Sequence, residues 1–152
     1  NTWVGGITGA LPPVMGWAAA RGQLDWEVLP IFALLYFWQL PHFFAIAWMY
    51  RDDYRNGGFK MLSLEDKTGR KTGIQMLLNG VLLFVASVTV FIFGQGSLVY
   101  LAGAALLGLG FLAVITLFLL ESRVDNARKV FLASIIYLPV LTTILILDRF
   151  IY

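Results

Sequence analysis

The chain contains no cysteine. That excludes disulfides, thiolate metal sites and a cysteine nucleophile, while leaving the redox compartment open. Charge is scarce as well: 13% of the 152 residues are charged against 59% hydrophobic, and the formal net charge is only +2. The basic residues form no stripe of the kind that tracks a phosphate backbone, which argues against nucleic acid as a partner. No basic stretch precedes the first apolar run, and Pro12-Pro13 lies within that run, so no cleavable signal peptide is read. Repeats, a heptad seam and low-complexity tracts are also missing. The chain starts at Asn1 rather than Met, which leads us to expect a piece of a longer protein.

What is present is apolar length. A mean hydropathy of +0.79 describes an all-α, polytopic transmembrane helical bundle rather than a soluble core. Five segments approach the roughly 20 residues a helix needs to cross a bilayer. They run from Trp3 to Ala20, Val28 to Tyr50, Gly73 to Phe93, Leu98 to Leu120 and Val130 to Leu147, and we read residues 1–152 as one domain. The first is the weakest, because Pro12-Pro13 should break it and Gly5, Gly6 and Gly9 lower its helix propensity, so a broken or re-entrant helix is expected. Gly5-xxx-Gly9 and Ala104-xxx-Gly108 have the small-residue spacing that lets membrane helices approach closely.

The connections predict an orientation. Arg51, Arg55, Lys60, Lys67, Arg70 and Lys71 lie between the second and third segments, and Arg123, Arg128 and Lys129 between the fourth and fifth. The other two connections hold Arg21 alone. By the positive-inside rule both basic connections face the cytoplasm. Trp17, Trp26, Tyr50, Tyr54 and Tyr100 fall where aromatic belts form.

Chemistry concentrates in one polar island, Arg51-Asp52-Asp53-Tyr54-Arg55-Asn56-Gly57-Gly58-Phe59-Lys60, reached through Trp38-Gln39-Leu40-Pro41-His42-Phe43. Asp52 and Asp53 offer hard oxygen ligands to Mg²⁺, which takes one or two protein carboxylates and completes its shell with water and phosphate. Arg51, Arg55 and Lys60 have the charge to neutralise a diphosphate. The same residues also read as a solvated helix end whose acids pair with neighbouring bases. If the second helix runs on through the island, Trp38, His42, Ala45, Met49 and Asp53 share a face, with His42 about 16 Å deeper than Asp53. Pro41 cannot donate to the carbonyl of Phe37, so a kink and a free acceptor are expected there. An ionisable residue inside a membrane segment is a functional hypothesis by default. Metal ligation, proton transfer and acceptor binding stay open for His42, beside a neutral histidine satisfied by a neighbouring helix or by the freed carbonyl of Phe37; Gln39 is a hydrogen-bonding companion to one side. Asn79 and Thr116 read as glue between helices.

The run WQLPHFFAIAW followed by DDYRNGGFKML, preceded by NTWVGGITGALPPVMGW, resembles the second half of the protoheme IX farnesyltransferase (haem O synthase) family within the UbiA-type prenyltransferases. The resemblance implies helices five to nine of a nine-helix funnel in which two Asp-rich cytoplasmic loops hold Mg²⁺-diphosphate. DDYRNGG then matches the second loop, with the family's aspartate at Asp53, Asp52 beside it, and the histidine of the WQ-PHF motif at His42. A first loop of N-D-x-x-D type is absent, so the chain alone is expected to be an inactive half-site. The implied reaction moves farnesyl from farnesyl diphosphate to a vinyl group of haem b. It gives Asp53, Asp52 and His42 catalytic roles, with both aspartates on metal, and makes Arg51, Arg55, Lys60, Tyr54, Gln39 and Trp38 substrate contacts. It also implies a bacterial plasma membrane or mitochondrial inner membrane, and contact with haem A synthase. A quinone or chlorophyll precursor as acceptor, a transporter, and a non-enzymatic membrane fragment are the competing readings.

Overall fold

Pro12 and Pro13 do not break the first apolar run. A computed structural model of the chain describes residues 2–151, the side chain of Arg149 excepted, and shows α1 as one continuous helix, Thr2–Arg21. The expectation of a broken segment is therefore corrected. Proline fixes φ near a helical value, so two successive prolines remove two backbone hydrogen bonds while the helix continues through them. The first half of α1 is also held from outside: Gln39 Nε2 donates to the Gly6 carbonyl at 3.0 Å and Tyr36 Oη to that of Trp3 at 3.3 Å.

A 3₁₀ turn, Trp26–Val28, leads into α2, Leu29–Met49. Pro30 sits at the start of α2, where its missing N–H costs nothing, and α2 remains a single helix across Pro41. It ends at Tyr50, whose φ of −109° and ψ of 28° are not helical, and α3 restarts at Arg51–Asn56. The expected continuous face from Trp38 to Asp53 is thus interrupted. Trp48 is 4% exposed and Tyr50 51%, so the chain leaves the bundle at that point and loses the packing that would hold it in line. A short α4, Leu62–Glu65, precedes α5, Arg70–Ile92; α6, Leu98–Leu120, and α7, Val124–Ile151, complete the fold. No strand occurs among the described residues.

Helices α2, α5, α6 and α7 close a four-membered ring, each touching the next and α7 returning to α2, with α1 laid against α2. Among the described residues four helices are long and apolar enough to cross a membrane, spanning Trp26–Met49, Arg70–Ile92, Leu98–Leu120 and Val124–Asp148; α1 is not one of them. Lipid is as apolar as leucine, so close packing and internal hydrogen bonds rather than burial hold such helices together. Gly73 lies against Leu119, Gly80 against Leu112 and Ile115, and Gly108 against Phe84. In the Gly5-xxx-Gly9 pair only Gly9 makes a close approach, to Gln39. Tyr100, expected in an interfacial belt, is fully buried and donates to the Ser87 carbonyl at 3.1 Å. Ser87 Oγ in turn lies 2.8 Å from Tyr137 Oη, joining α5, α6 and α7 at one buried point. Thr116 is exposed and bonds its own helix at Leu112, so it is not interhelical glue.

The two basic connections lie at the same end of the bundle. Gly69, just before α5, abuts Ser122 of the α6–α7 connection and the Trp48 ring. At the other end Gln95 donates to the Glu27 carbonyl and Ser97 to the Asp148 carboxylate. Arg21 there is paired with Glu27 at 3.0 Å and Asp25 at 3.7 Å.

Candidate functional site

The site has a rim and an inner part. At the rim α3 carries Arg51, Asp52, Asp53, Tyr54 and Arg55 within six residues, none of them buried. Its end is built by a Schellman motif: Phe59 N–H donates to the Tyr54 carbonyl at 3.0 Å and Gly58 N–H to that of Arg55 at 3.1 Å, with Gly58 at φ +73°. The apolar contact this motif favours is present, Phe59 meeting Tyr54 edge to face at 5.8 Å. The turn therefore depends on Gly58, not on both glycines, and it carries Lys60 out beyond α3.

Charges at the rim are unequally engaged. Arg55 Nη1 binds Asp52 Oδ1 at 2.8 Å, both groups being largely exposed. The Arg51 guanidinium stacks on the Trp48 ring at 4.7 Å. Asp53 makes no ion pair among the described residues, and it lines a shallow depression of about 320 Å³ together with Tyr50, Tyr54 and Phe59. No group of three or more histidine, aspartate or glutamate side chains converges among the described residues. Asp52 and Asp53 thus suit a cation that keeps water and phosphate oxygens, as Mg²⁺ does, and not an all-protein cage.

The loop that follows is pinned by a residue outside the expected set. Asp66 is 2% exposed. Its Oδ1 accepts from Gly69 N–H at 2.9 Å and from Thr68 N–H and Oγ1 at 3.2 Å, and its Oδ2 accepts from Thr72 N–H at 2.8 Å. Burial alone would raise this carboxyl, but the amide donors of Thr72, Thr68 and Gly69 outweigh it and hold the pKa below the ordinary 3.8. Asp-x-Thr ahead of a helix is a capping pattern, so the signal was in the sequence.

Eleven residues before Asp53, His42 sits against aromatic rings. Trp38 stacks on it at 5.3 Å and Phe131 of α7 at 5.0 Å, while Phe43 meets it edge-on at 5.6 Å. Its Nδ1 lies 2.8 Å from Ser134 Oγ on α7. The Phe37 carbonyl that Pro41 leaves free is not its partner. Trp38 and His42 are thus brought together; Gln39 is not part of the group, because its amide donates to Gly6 and Leu35 instead. Asn79 is buried, with Nδ2 on the Gln75 carbonyl at 2.7 Å and Oδ1 unpartnered. Phe131 and Ser134 had no sequence signal, being ordinary residues of an apolar helix.

The profile of the UbiA prenyltransferase family matches residues 1–135. The protoheme IX farnesyltransferase of Solibacter usitatus (strain Ellin6076) is 43% identical over 149 residues, covering 98% of this chain and 51% of the relative. The protein of the same name from Koribacter versatilis (strain Ellin345) is 40% identical over 97% of the chain and 50% of its own length. The mitochondrial protoheme IX farnesyltransferase of Arabidopsis thaliana is 40% identical over 98% of the chain and 35% of its own length. The chain spans about half the length of the bacterial relatives it matches. No solved structure matches it.

Proposed function

The chain belongs to the UbiA prenyltransferase family, and from that membership we propose that it forms one half of a farnesyl transfer site. The substrates are farnesyl diphosphate and haem b. The C1–O bond of farnesyl diphosphate breaks with loss of diphosphate, the electrons of a haem vinyl group form the new C–C bond, and water adds to the resulting cation with loss of a proton, giving haem O. The observation that carries the reading is the rim itself: Asp53, which makes no ion pair among the described residues, next to the Asp52–Arg55 pair on a short helix just beyond α2.

In this mechanism Asp53 and Asp52 would hold Mg²⁺, which when bound supplies charge neutralisation at the diphosphate as the C–O bond breaks. Arg51, Arg55 and Lys60 bind diphosphate oxygens, fixed positive charge being worth most where negative charge develops. Tyr54 and Phe59 wall the depression beside Asp53. Trp38 and His42 lie deeper, toward the acceptor, and Gln39 keeps α1 in place beside them. The rim faces the cytoplasm or mitochondrial matrix, as the two basic connections at one end of the bundle support. A second Asp-rich loop comes from the rest of the full-length protein, so this chain alone is inactive, and haem A synthase is a partner for the product.

The test is Asp53→Asn in the full-length protein, with products identified by mass. Prenyl transfer to haem should fall by about 100-fold or more with a raised Mg²⁺ requirement. Unchanged turnover and unchanged Mg²⁺ dependence would overturn the metal assignment, and a prenylated aromatic acid in place of haem O would overturn the acceptor.

A further inference from the structure

The contacts between α2 and α7 decide which nitrogen of the single histidine carries a proton. Ser134 Oγ lies 2.6 Å from the Phe131 carbonyl oxygen and 2.8 Å from His42 Nδ1. A hydroxyl has one proton to give, and a carbonyl can only accept. Ser134 therefore donates to Phe131 and meets His42 as an acceptor. His42 Nδ1 must be the protonated nitrogen, which in the neutral ring leaves the lone pair on Nε2.

The same contacts fix the ring in space. Trp38 lies over it at 22° between planes and Phe131 at 29°, and the Trp38 indole N–H donates to the Ser134 carbonyl at 2.7 Å. One residue of α7 thus anchors both rings of α2. With two rings stacked on it and Nδ1 engaged, Nε2 is the nitrogen left without a partner among the described residues. His42 is only partly buried, and no protein hydrogen bond reaches Nε2 among the described residues. An imidazole whose N–H is held by an oxygen and whose lone pair points away is the arrangement that second-sphere partners impose on metal-binding histidines.

We propose that His42 Nε2 is an axial ligand to the iron of the porphyrin acceptor, and that Ser134 is the positioning residue that holds it in the ligating tautomer. The proposal rests on the reading of this site as one that takes haem. Trp38, Phe131 and the 41% exposed Phe43 make the surroundings of His42 aromatic and apolar, the chemistry that a porphyrin's periphery meets. His42 lies within α2 and Asp53 on α3, beyond the end of α2, so the two belong to different parts of the site. Ligation is a coordinate bond and needs no oxidant or reductant.

The full-length protein is titrated with haemin and, separately, with metal-free protoporphyrin IX, and prenylated product is measured on the same samples. The wild type should give the Soret and EPR signature of histidine ligation. His42→Ala should lose that signature and bind haemin at least 10-fold more weakly, with metal-free porphyrin unaffected, and added imidazole should restore the spectrum. Ser134→Ala should retain ligation but weaken haemin 10- to 100-fold, the usual effect of removing a second-sphere partner, with Ser134→Thr restoring it. A wild-type spectrum and affinity in His42→Ala, with haem still prenylated, would overturn the ligation and leave the farnesyl transfer reading standing. A wild type that neither binds nor prenylates haemin would overturn both.

Discussion

Asp66→Asn isolates what one carboxylate does for the loop that carries the rim. In the folded chain Asp66 Oδ1 takes three donors and Oδ2 takes the Thr72 amide. Asparagine keeps the first oxygen and sets an NH₂ against Thr72 N–H. That strands one buried amide, costing about 1–3 kcal/mol, and removes a negative charge from the start of α5, worth about 0.3–1 kcal/mol. The sum, about 1.3–4 kcal/mol, corresponds to a Tm lower by roughly 3–16 °C for a chain of this size. The folded pKa lies below the unfolded one, so this stabilisation is complete above the ordinary 3.8 and is lost as pH falls through the lowered folded value. Thermal melting of wild type and variant in detergent at neutral and acid pH reads both effects. The gap should be full at pH 7 and shrink below about pH 4, with faster amide exchange at Gly69 and Thr72 in the variant at neutral pH. A gap under about 1 °C at pH 7, or one that widens on acidification, would refute the reasoning.

Two further perturbations separate local from shared effects. Gly58→Ala meets open space, so its cost is the left-handed backbone alone, about 1–2 kcal/mol; it should fray α3, seen as faster exchange at Phe59, and leave the bundle Tm unchanged. Gly69→Ala adds to a similar φ of +78° a clash with Ser122 and the Trp48 ring, so overpacking contributes about 1–3 kcal/mol more and the whole bundle should melt earlier; equal effects from the two would refute the distinction. Gly9→Ala would drive a methyl into the Gln39 amide and loosen α1 from α2. Because the chain has no cysteine, Trp3→Cys with Tyr36→Cys gives a clean crosslinking assay, and undiminished crosslinking in the Gly9→Ala background would contradict this docking.

Apolar length and loop charge made the four helices of the ring legible, because both are additive along the chain. Their ends moved by a few residues where capping rather than hydropathy decides: α5 begins at Arg70, not Gly73, since Asp66 and Gly69 build its start. Pro12-Pro13 misled because the hydrogen bonds they remove do not end α1, which Gln39 and Tyr36 also hold against α2 through the Gly6 and Trp3 carbonyls. The rim could be read because its residues are neighbours in sequence. The setting of His42 could not, since Phe131 and Ser134 lie about ninety residues away and have no periodicity that marks them. Gln39, adjacent to the histidine stripe in sequence, faces α1 for the same reason: a step of one residue on a helix turns a side chain by about 100°.

The Asp52–Arg55 pair explains how a rim this charged can wait for its ligands. Its side chains are 78% and 55% exposed, so the pair contributes on the order of 0–1 kcal/mol. Parting it is therefore cheap, and in the proposed site each member would leave toward a stronger partner, Asp52 toward a divalent cation and Arg55 toward a phosphate oxygen. Arg51 is different, because its guanidinium rests on Trp48, a ring 4% exposed and packed edge-on against Phe118 at 5.5 Å. It is a positioned cation, tied through Trp48 to the end of α2 and to the Gly69–Ser122 contact. The proposed diphosphate site thus combines one fixed positive charge with one that is released on binding. Replacing Arg51 should raise the KM for farnesyl diphosphate, whereas replacing Arg55 should also free Asp52 and so shift the Mg²⁺ dependence. Equal kinetic consequences from the two substitutions would mean that neither contact governs binding.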